Sequence, residues 1–370
     1  MQSVRAAVSR EDHAPLSFEE LELEAPRADE VVVEVAYTAI CHTDIRAVEG
    51  LQGSQKPAVF GHEGAGIVRA IGSGVTKVKV GDRVVMTHLS CGRCASCLAG
   101  DTAYCRQNLP LNMRAGRLDG SSGFCGGEVH SHFFGQSSFA TFSLANERNV
   151  TIVPDDIPLD CAAAMSCGIV TGAGAVLNVL KPAPGGSVVI TGAGGVGLGA
   201  VMAARIAGAS QVITIDLWQP RLDLAREVGA THCFEAADPH VVEKVREACG
   251  GAGATASVEA SGSTTALAVA LDVLGLHGTC VLVGAGGAVP ASFTWRHLQY
   301  NALTIRGCLL GDSNVQLFMP RLFSFFRQGL LPVDRIISHY DFAQINEAMR
   351  DAAAGGPVKP VLRIANGALG

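Results

Sequence analysis

The chain has 370 residues and a mass of 38.2 kDa, which is more than one ordinary domain and suits two, since domains run to roughly 100–200 residues. Its 28 Lys and Arg against 34 Asp and Glu leave a net charge of −6 and a pI near 6.0, which argues against nucleic acid and against an anionic membrane as partners. With 48% hydrophobic and only 17% charged residues and a mean hydropathy of +0.29, intrinsic disorder is excluded.

Along the chain, Met1 to Asp12 contains no apolar core of a secretory signal, so the expected compartment is the cytoplasm, where thiols stay reduced. Clustered cysteines then read as metal ligands rather than as a disulfide framework. Residues 30–35 read as a weakly alternating strand, and Gly61, Gly64, Gly66, Gly72, Gly74 and Gly81 punctuate the stretch beyond it, the pattern of an irregular β-rich domain. From about residue 160, apolar strands alternate with Ala-rich helical stretches. Strands are expected at 187–191, 211–215, 256–259 and 279–284, with a helix over 197–208. Such alternation implies parallel βαβ units. Pro182 to Ala204 is 23 residues without a charge, long enough to cross a bilayer, but its seven glycines predict a buried strand, turn and helix instead. Beyond about Gly311 the alternation stops, and 318–327 reads as an amphipathic helix.

Three constellations carry chemistry. Cys91, Cys94, Cys97 and Cys105 stand at spacings of three, three and eight; four thiolates around one ion, with no open position, make a structural zinc site. Four sulfurs also suit an iron–sulfur centre. The second group is Cys41-His42-Thr43-Asp44, Gly61-His62-Glu63 and Cys167. Two thiolates and an imidazole are the donor set of an open zinc site, although the spacing alone does not bring them together, and a small core cysteine and a hydrogen-bonded buried histidine are the plain alternatives. The third is Gly192-Ala193-Gly194-Gly195-Val196-Gly197 between an expected strand and an expected helix, with Asp216 nineteen residues past Gly197. Gly192 makes the turn, Gly194 lets the backbone approach a pyrophosphate, and Gly197 lets helix and strand pack closely. Asp216 is the acid expected on the ribose hydroxyls, and it favours NAD over NADP by repelling a 2′-phosphate.

With Gly61-His62-Glu63-x-x-Gly66, Gly72, Val75, Gly81-Asp82-Arg83-Val84, the four-cysteine lobe and the glycine fingerprint in this order, the chain resembles the zinc-dependent medium-chain alcohol dehydrogenases over essentially its whole length. Residues 134–140, 167–177 and 359–363 are most similar to the aryl (benzyl) alcohol dehydrogenases.

The resemblance implies an α/β protein, a Rossmann doubly wound parallel sheet plus a GroES-like β-rich catalytic domain. The catalytic domain would take 1–168 and 312–370, with a structural zinc lobe at about 88–108, and the Rossmann NAD-binding domain 169–311. It implies two zincs per chain and NAD: Cys41, His62 and Cys167 on the catalytic zinc, and Cys91, Cys94, Cys97 and Cys105 on the structural one. Asp44 would orient His62, Glu63 would lie behind the metal, and Thr43 would take the proton of the alcohol. His42 and Lys359 would meet the coenzyme pyrophosphate and Arg221 its adenosine side, with a solvated surface cation as the alternative for both Lys359 and Arg221. Val196 belongs to the fingerprint as a coenzyme contact. The expected reaction is reversible oxidation of primary aromatic or allylic alcohols, terpenoid ones included, by alkoxide formation at zinc and hydride transfer to NAD. Phe134 and Ile169 are candidates for an apolar pocket wall or for core.

One position departs from the family. Where many relatives end the proton relay with a histidine, Arg46 stands here; its guanidinium is no base, so the relay is expected to shorten to Thr43, the ribose hydroxyl and solvent. A thiol (glutathione)-dependent formaldehyde dehydrogenase of the same family is the runner-up, with Arg114 and Arg117 as candidate anion contacts. A zinc-dependent nucleic-acid-binding module and a non-catalytic nucleotide-binding protein fit the charge balance and the ligand set less well. No nucleic-acid or membrane partner is expected, and the resemblance implies a homodimer or homotetramer built through the Rossmann domains.

Overall fold

A computed structural model describes residues 1–286 and 290–364; residues 365–370, the tail of the expected catalytic segment, lie outside them. The chain divides into two compact units, one made of Met1–Cys167, Asn314–Phe323 and Ile337–Gly370, the other of Gly168–Ser313 and Ser324–Ile336. The segment Ser324–Ile336 thus goes with the second unit, where the sequence had suggested one continuous return to the first.

The first unit is β-rich. Its larger sheet runs in the order Ile337–Asp341, Lys359–Arg363, Glu30–Ala39, Gly64–Ile71, Arg83–Met86 and Val150–Ile152, with Phe142–Asn146 also pairing Glu30–Ala39. Glu30–Ala39 is therefore a central strand, covered on both faces, and Val31, Val32, Val33 and Val35 are all buried. That burial is the reason its alternation is weak in the sequence, since a strand without a wet face has no polar positions to alternate. A smaller sheet joins Ser17–Leu23, Gln2–Ser9 and Ala58–Val59. Phe60, Phe133 and Phe139 are fully buried in the core.

Buried charge also holds this unit together. Arg117 reaches Glu30 twice, at 2.6 and 3.0 Å, and donates to Glu24 and to the carbonyl of Ser122. His132 closes on the same Glu30 carboxylate at 3.3 Å.

The second unit carries six parallel strands in the order His232–Glu235, Gln211–Asp216, Ser187–Thr191, Ala254–Glu259, Leu274–Leu282 and Thr304–Gly307. Counted along the chain this is 3-2-1-4-5-6, the doubly wound Rossmann order, whose reversal point between the first and fourth strands opens a crevice at their carboxyl ends. The expected strands and helices lie where the pattern put them, apart from shifts at their ends; the helix after the fingerprint spans Gly195–Ile206. Pro182 to Ala204 forms the strand Ser187–Thr191, a turn and that helix. Among the described residues one helical run, Leu159–Leu180, is long and apolar enough to cross a membrane, and most of it is buried in the protein.

Candidate functional site

The first cluster is organised by Asp44. Its Oδ2 accepts from the Cys41 backbone N–H at 3.0 Å, at the start of the helix His42–Val48, and its Oδ1 accepts from His62 Nδ1 at 2.8 Å and from the Gly61 N–H at 3.2 Å. One carboxylate therefore fixes Cys41 and His62 together. With Nδ1 committed to Asp44, Nε2 is the ring nitrogen left to a metal, and it faces the Cys167 Sγ at 3.3 Å. Cys167 ends the first unit, on the wide π-helical turns of Met165–Ile169, a local form that recurs at functional sites. One donor atom each from Cys41, His62, Glu63 and Cys167 lies within 4.8 Å of the others.

Glu63 is fully buried; its Oε1 makes no hydrogen bond and stands 4.0 Å from His62 Nε2, while its Oε2 pairs with the Lys359 ammonium. Burial pushes the Glu63 carboxyl up to about 7 against the pull of Lys359. The Cys41 thiol is drawn well below its ordinary range because Cys167 donates to its thiolate, with His62 adding to the effect. Two cysteine sulfurs, a histidine held through its Nδ1 and an orphaned carboxylate oxygen converging on one point are donors that fit a zinc ion. Thr43 lies beside them, its hydroxyl 3.9 Å from Cys41 Sγ.

The ring of His62 is enclosed by aromatics. Phe134 stacks on it with centroids 4.4 Å apart and planes 26° from parallel, and Phe133 meets it edge-on at 5.9 Å. Phe134 adopts φ 53°, ψ 32°, a left-handed conformation that costs a bulky residue about 1 kcal/mol. Asn149 Nδ2 donates to the carbonyls of Phe134 and Gly135, and Ser137 Oγ accepts from Phe133 N–H. Gln136 spans the site, donating to the carbonyls of His62 and Thr87 and accepting from Gly64 N–H.

In the cysteine lobe Cys94 and Cys97 sulfurs are 3.5 Å apart and those of Cys91 and Cys97 3.9 Å. Those distances are too long for disulfides and bracket the spacing of about 3.8 Å expected for a tetrahedron of sulfurs at 2.3 Å from one zinc. Backbone N–H groups of Cys91 and Gln107 point at Cys105 Sγ, and that of Arg106 at Cys94 Sγ. Donation from Arg106 draws the Cys94 thiol down to about 6. Four converging sulfurs fit one ion and are too close together to surround a cluster.

In the second unit the fingerprint has the form its residues dictate. Gly192 has φ +95°, and a Cβ on Gly197 would fall 1.7 Å from the Gly192 carbonyl oxygen, so only glycine closes this turn. Nothing lies within 4 Å of where a Gly194 side chain would be, leaving open the start of the helix Gly195–Ile206, the place where a pyrophosphate is received. Asp216 is buried at the end of its strand and accepts from Ala193 N–H at 2.6 Å and Trp218 N–H at 2.9 Å. Arg221 holds a buried Nε with no hydrogen-bond partner. These features fit a dinucleotide.

Cys41, Thr43, Asp44, His62, Glu63 and Cys167 thus come together in the first unit, whereas Asp216, Arg221 and the glycines stand in the second. His42 is exposed. Lys359 is no solvated surface cation: it is 2% exposed and belongs to the Glu63 cluster. Arg117, a candidate anion contact, is committed to Glu30 and Glu24, and burial in that network leaves it unavailable for a ligand. Phe134 and Ile169 are both buried. The sequence reading missed Gln136 and the stack on His62, since no periodicity marks contacts made by a loop.

Two family models match the chain, an alcohol dehydrogenase GroES-like domain over residues 27–155 and a zinc-binding dehydrogenase over 195–324. A geraniol dehydrogenase of Castellaniella defragrans is 41% identical over 368 residues, covering 97% of each chain. Among solved structures, a zinc-binding alcohol dehydrogenase domain protein from Burkholderia ambifaria superposes with a TM-score of 0.96 at 44% identity, covering 99% of this chain and all of that one. Benzyl alcohol dehydrogenase of Acinetobacter calcoaceticus superposes with a TM-score of 0.95 at 37% identity and the same coverage. With both halves matched by the family models and relatives aligned over nearly its whole length, the chain belongs to the zinc-dependent medium-chain alcohol dehydrogenases.

Proposed function

We propose that the protein is a cytoplasmic, NAD-linked dehydrogenase that interconverts primary aromatic or allylic alcohols, terpenoid ones included, and their aldehydes. The observation that carries the reading is the convergence of Cys41, His62 and Cys167, with the His62 ring held through Nδ1 by Asp44. The substrate class is supported by likeness to a geraniol dehydrogenase and a benzyl alcohol dehydrogenase, since geraniol and benzyl alcohol are both primary alcohols activated by an adjacent π system.

Zinc held by Cys41, His62 and Cys167 would supply a Lewis acid that makes an alcohol hydroxyl acidic, and NAD would supply the hydride acceptor. The protein's own residues do the rest. Asp44 keeps the His62 ring oriented and its Nε2 basic. The Thr43 hydroxyl, 3.9 Å from Cys41 Sγ, would take the alcohol proton and pass it by the ribose hydroxyl to solvent, because Arg46 cannot act as a base. Phe134 contributes apolar surface that excludes water. Cys91, Cys94, Cys97 and Cys105 would hold a second, structural zinc, Asp216 and Arg221 would hold the adenosine end of NAD, and the exposed His42 would meet its pyrophosphate, whereas Lys359, buried against Glu63, is left to that cluster.

The test is Cys167→Ala with zinc counted per chain. The variant is expected to lose turnover of benzyl alcohol and one of two zincs while still binding NADH. Turnover retained at the wild-type rate would remove Cys167 from the site.

A further inference from the structure

We infer that Phe134 is a positioning residue for His62, and that His88, anchored to the cysteine lobe, holds Phe134 in place. The inference rests on the proposed zinc site. Asp44 pins one end of the His62 ring through Nδ1, but a single hydrogen bond on that axis leaves the ring free to tilt about it. The stack of Phe134 at 4.4 Å and the edge of Phe133 at 5.9 Å remove that freedom, and Gln136 fixes the backbone beneath by accepting Gly64 N–H and donating to the His62 carbonyl.

Core phenylalanines do not need a left-handed backbone, yet Phe134 has one, locked by Asn149. Conformations of that kind persist where the surroundings over-determine them, and they cluster at functional sites. Phe134 also meets the ring of His88, edge to face at 6.4 Å. His88 Nε2 donates to Asn108 Oδ1 at 3.0 Å. Asn112 grips both backbone groups of Leu89, Oδ1 accepting from its N–H at 2.9 Å and Nδ2 donating to its carbonyl at 3.0 Å. Asn108 itself donates through its backbone N–H to the carbonyl of Cys105, the last sulfur of the lobe. A continuous path of contacts therefore runs from Cys105 through Asn108, His88 and Phe134 to His62. Order in the lobe is felt as orientation at the other metal ligand set.

The test follows zinc release to dipicolinate from the whole protein, with the phase absent from Cys167→Ala assigned to the Cys41, His62 and Cys167 site. Phe134→Leu is expected to speed that phase on the order of 10-fold, the lower end of what the loss of an orienting partner costs in metal affinity, while the second phase and the melting temperature stay put. Cobalt-substituted Phe134→Leu is expected to show shifted visible bands, and Phe134→Tyr to restore both readouts. A residue that only lines a substrate pocket would change KM and leave the release rate alone. His88→Gln, which keeps a hydrogen-bonding group for Asn108 but loses the ring edge, is expected to speed the same phase by a smaller factor, and it carries the comparison should Phe134→Leu fail to fold. Wild-type release in a folded Phe134→Leu, or in His88→Gln, overturns the inference alone. Absence of any release phase specific to Cys167 overturns the proposed zinc site and the inference with it.

Discussion

Asp44 and His62 are joined by a 2.8 Å hydrogen bond between two side chains that are 0% and 1% exposed. The same carboxylate holds the backbone N–H of Cys41 and Gly61. Removing it in Asp44→Ala frees the ring, unties the start of a helix and leaves a buried His62 Nδ1 without a partner. Zinc affinity at this site is expected to fall by about 10–100-fold, with the four-cysteine lobe still loaded. Competitive titration against a chelator measures this; unchanged affinity would mean that Asp44 serves folding only.

The cysteine lobe has little apolar core of its own: Leu89, Cys105 and Leu111 are buried there. Cys94→Ser is therefore expected to lose one zinc per chain and to open residues 91–113 to proteolysis, because binding energy of the ion is folding energy for so small a lobe. Mass spectrometry of the first cleavage sites reads the outcome. Cleavage elsewhere first would contradict a local staple.

Arg117 and Glu30 form a buried pair with side chains 7% exposed on each partner. Arg117→Met leaves the Glu30 carboxylate buried with only the His132 ring and the Arg27 N–H beside it, and it is expected to cost about 3–5 kcal/mol, read as a lower urea midpoint. A loss below ~1 kcal/mol would place the pair with surface ion pairs.

Acid should destabilise the fold through identifiable groups. Burial lowers His88 from 6.5 to about 4, so between those values the unfolded chain binds the extra proton and stability falls as pH drops, by up to about 3 kcal/mol. Burial works to raise Glu30, but His132 and Arg117 outweigh it and hold its carboxyl well below the ordinary 4.5; its contribution is present above that value and is lost as pH falls further. His88→Phe should therefore show a shallower dependence of the urea midpoint on pH between 6.5 and 4. Equal slopes would show that His88 does not titrate in this way.

Asp216, the acid proposed for the coenzyme ribose, also supports the glycine loop through Ala193 N–H. Asp216→Gly is expected to weaken NAD binding by about 10–100-fold, from about 1.5–3 kcal/mol for hydrogen bonds to a charged group, and to raise relative use of NADP. Fluorescence titration with both reduced coenzymes measures it, and an unchanged ratio would contradict the assigned role.

Most of the fold was legible because its signals are local. Strand–helix alternation after residue 160 and the Gly192–Gly197 turn follow from periodicity and from backbone demands that only glycine meets. The cysteine lobe was legible because its ligands are close in sequence. The second ligand set was readable only as residue types, since 105 positions separate His62 from Cys167 and nothing short of the fold brings them together. Lys359 shows the limit from the other side: by sequence it reads as a pyrophosphate contact or a surface charge, and only the strand Lys359–Arg363, lying beside Glu30–Ala39, buries it against Glu63. The Phe134 stack depends on a left-handed backbone, which no apolar pattern encodes.

The most direct measurement of the central claim is kcat/KM with NAD for benzyl alcohol and geraniol against S-hydroxymethylglutathione, on protein with its zinc content verified. Aromatic and allylic alcohols oxidised efficiently, with the glutathione adduct a poor substrate, is the predicted result. Preference for the glutathione adduct, or turnover that survives complete removal of zinc, would contradict it.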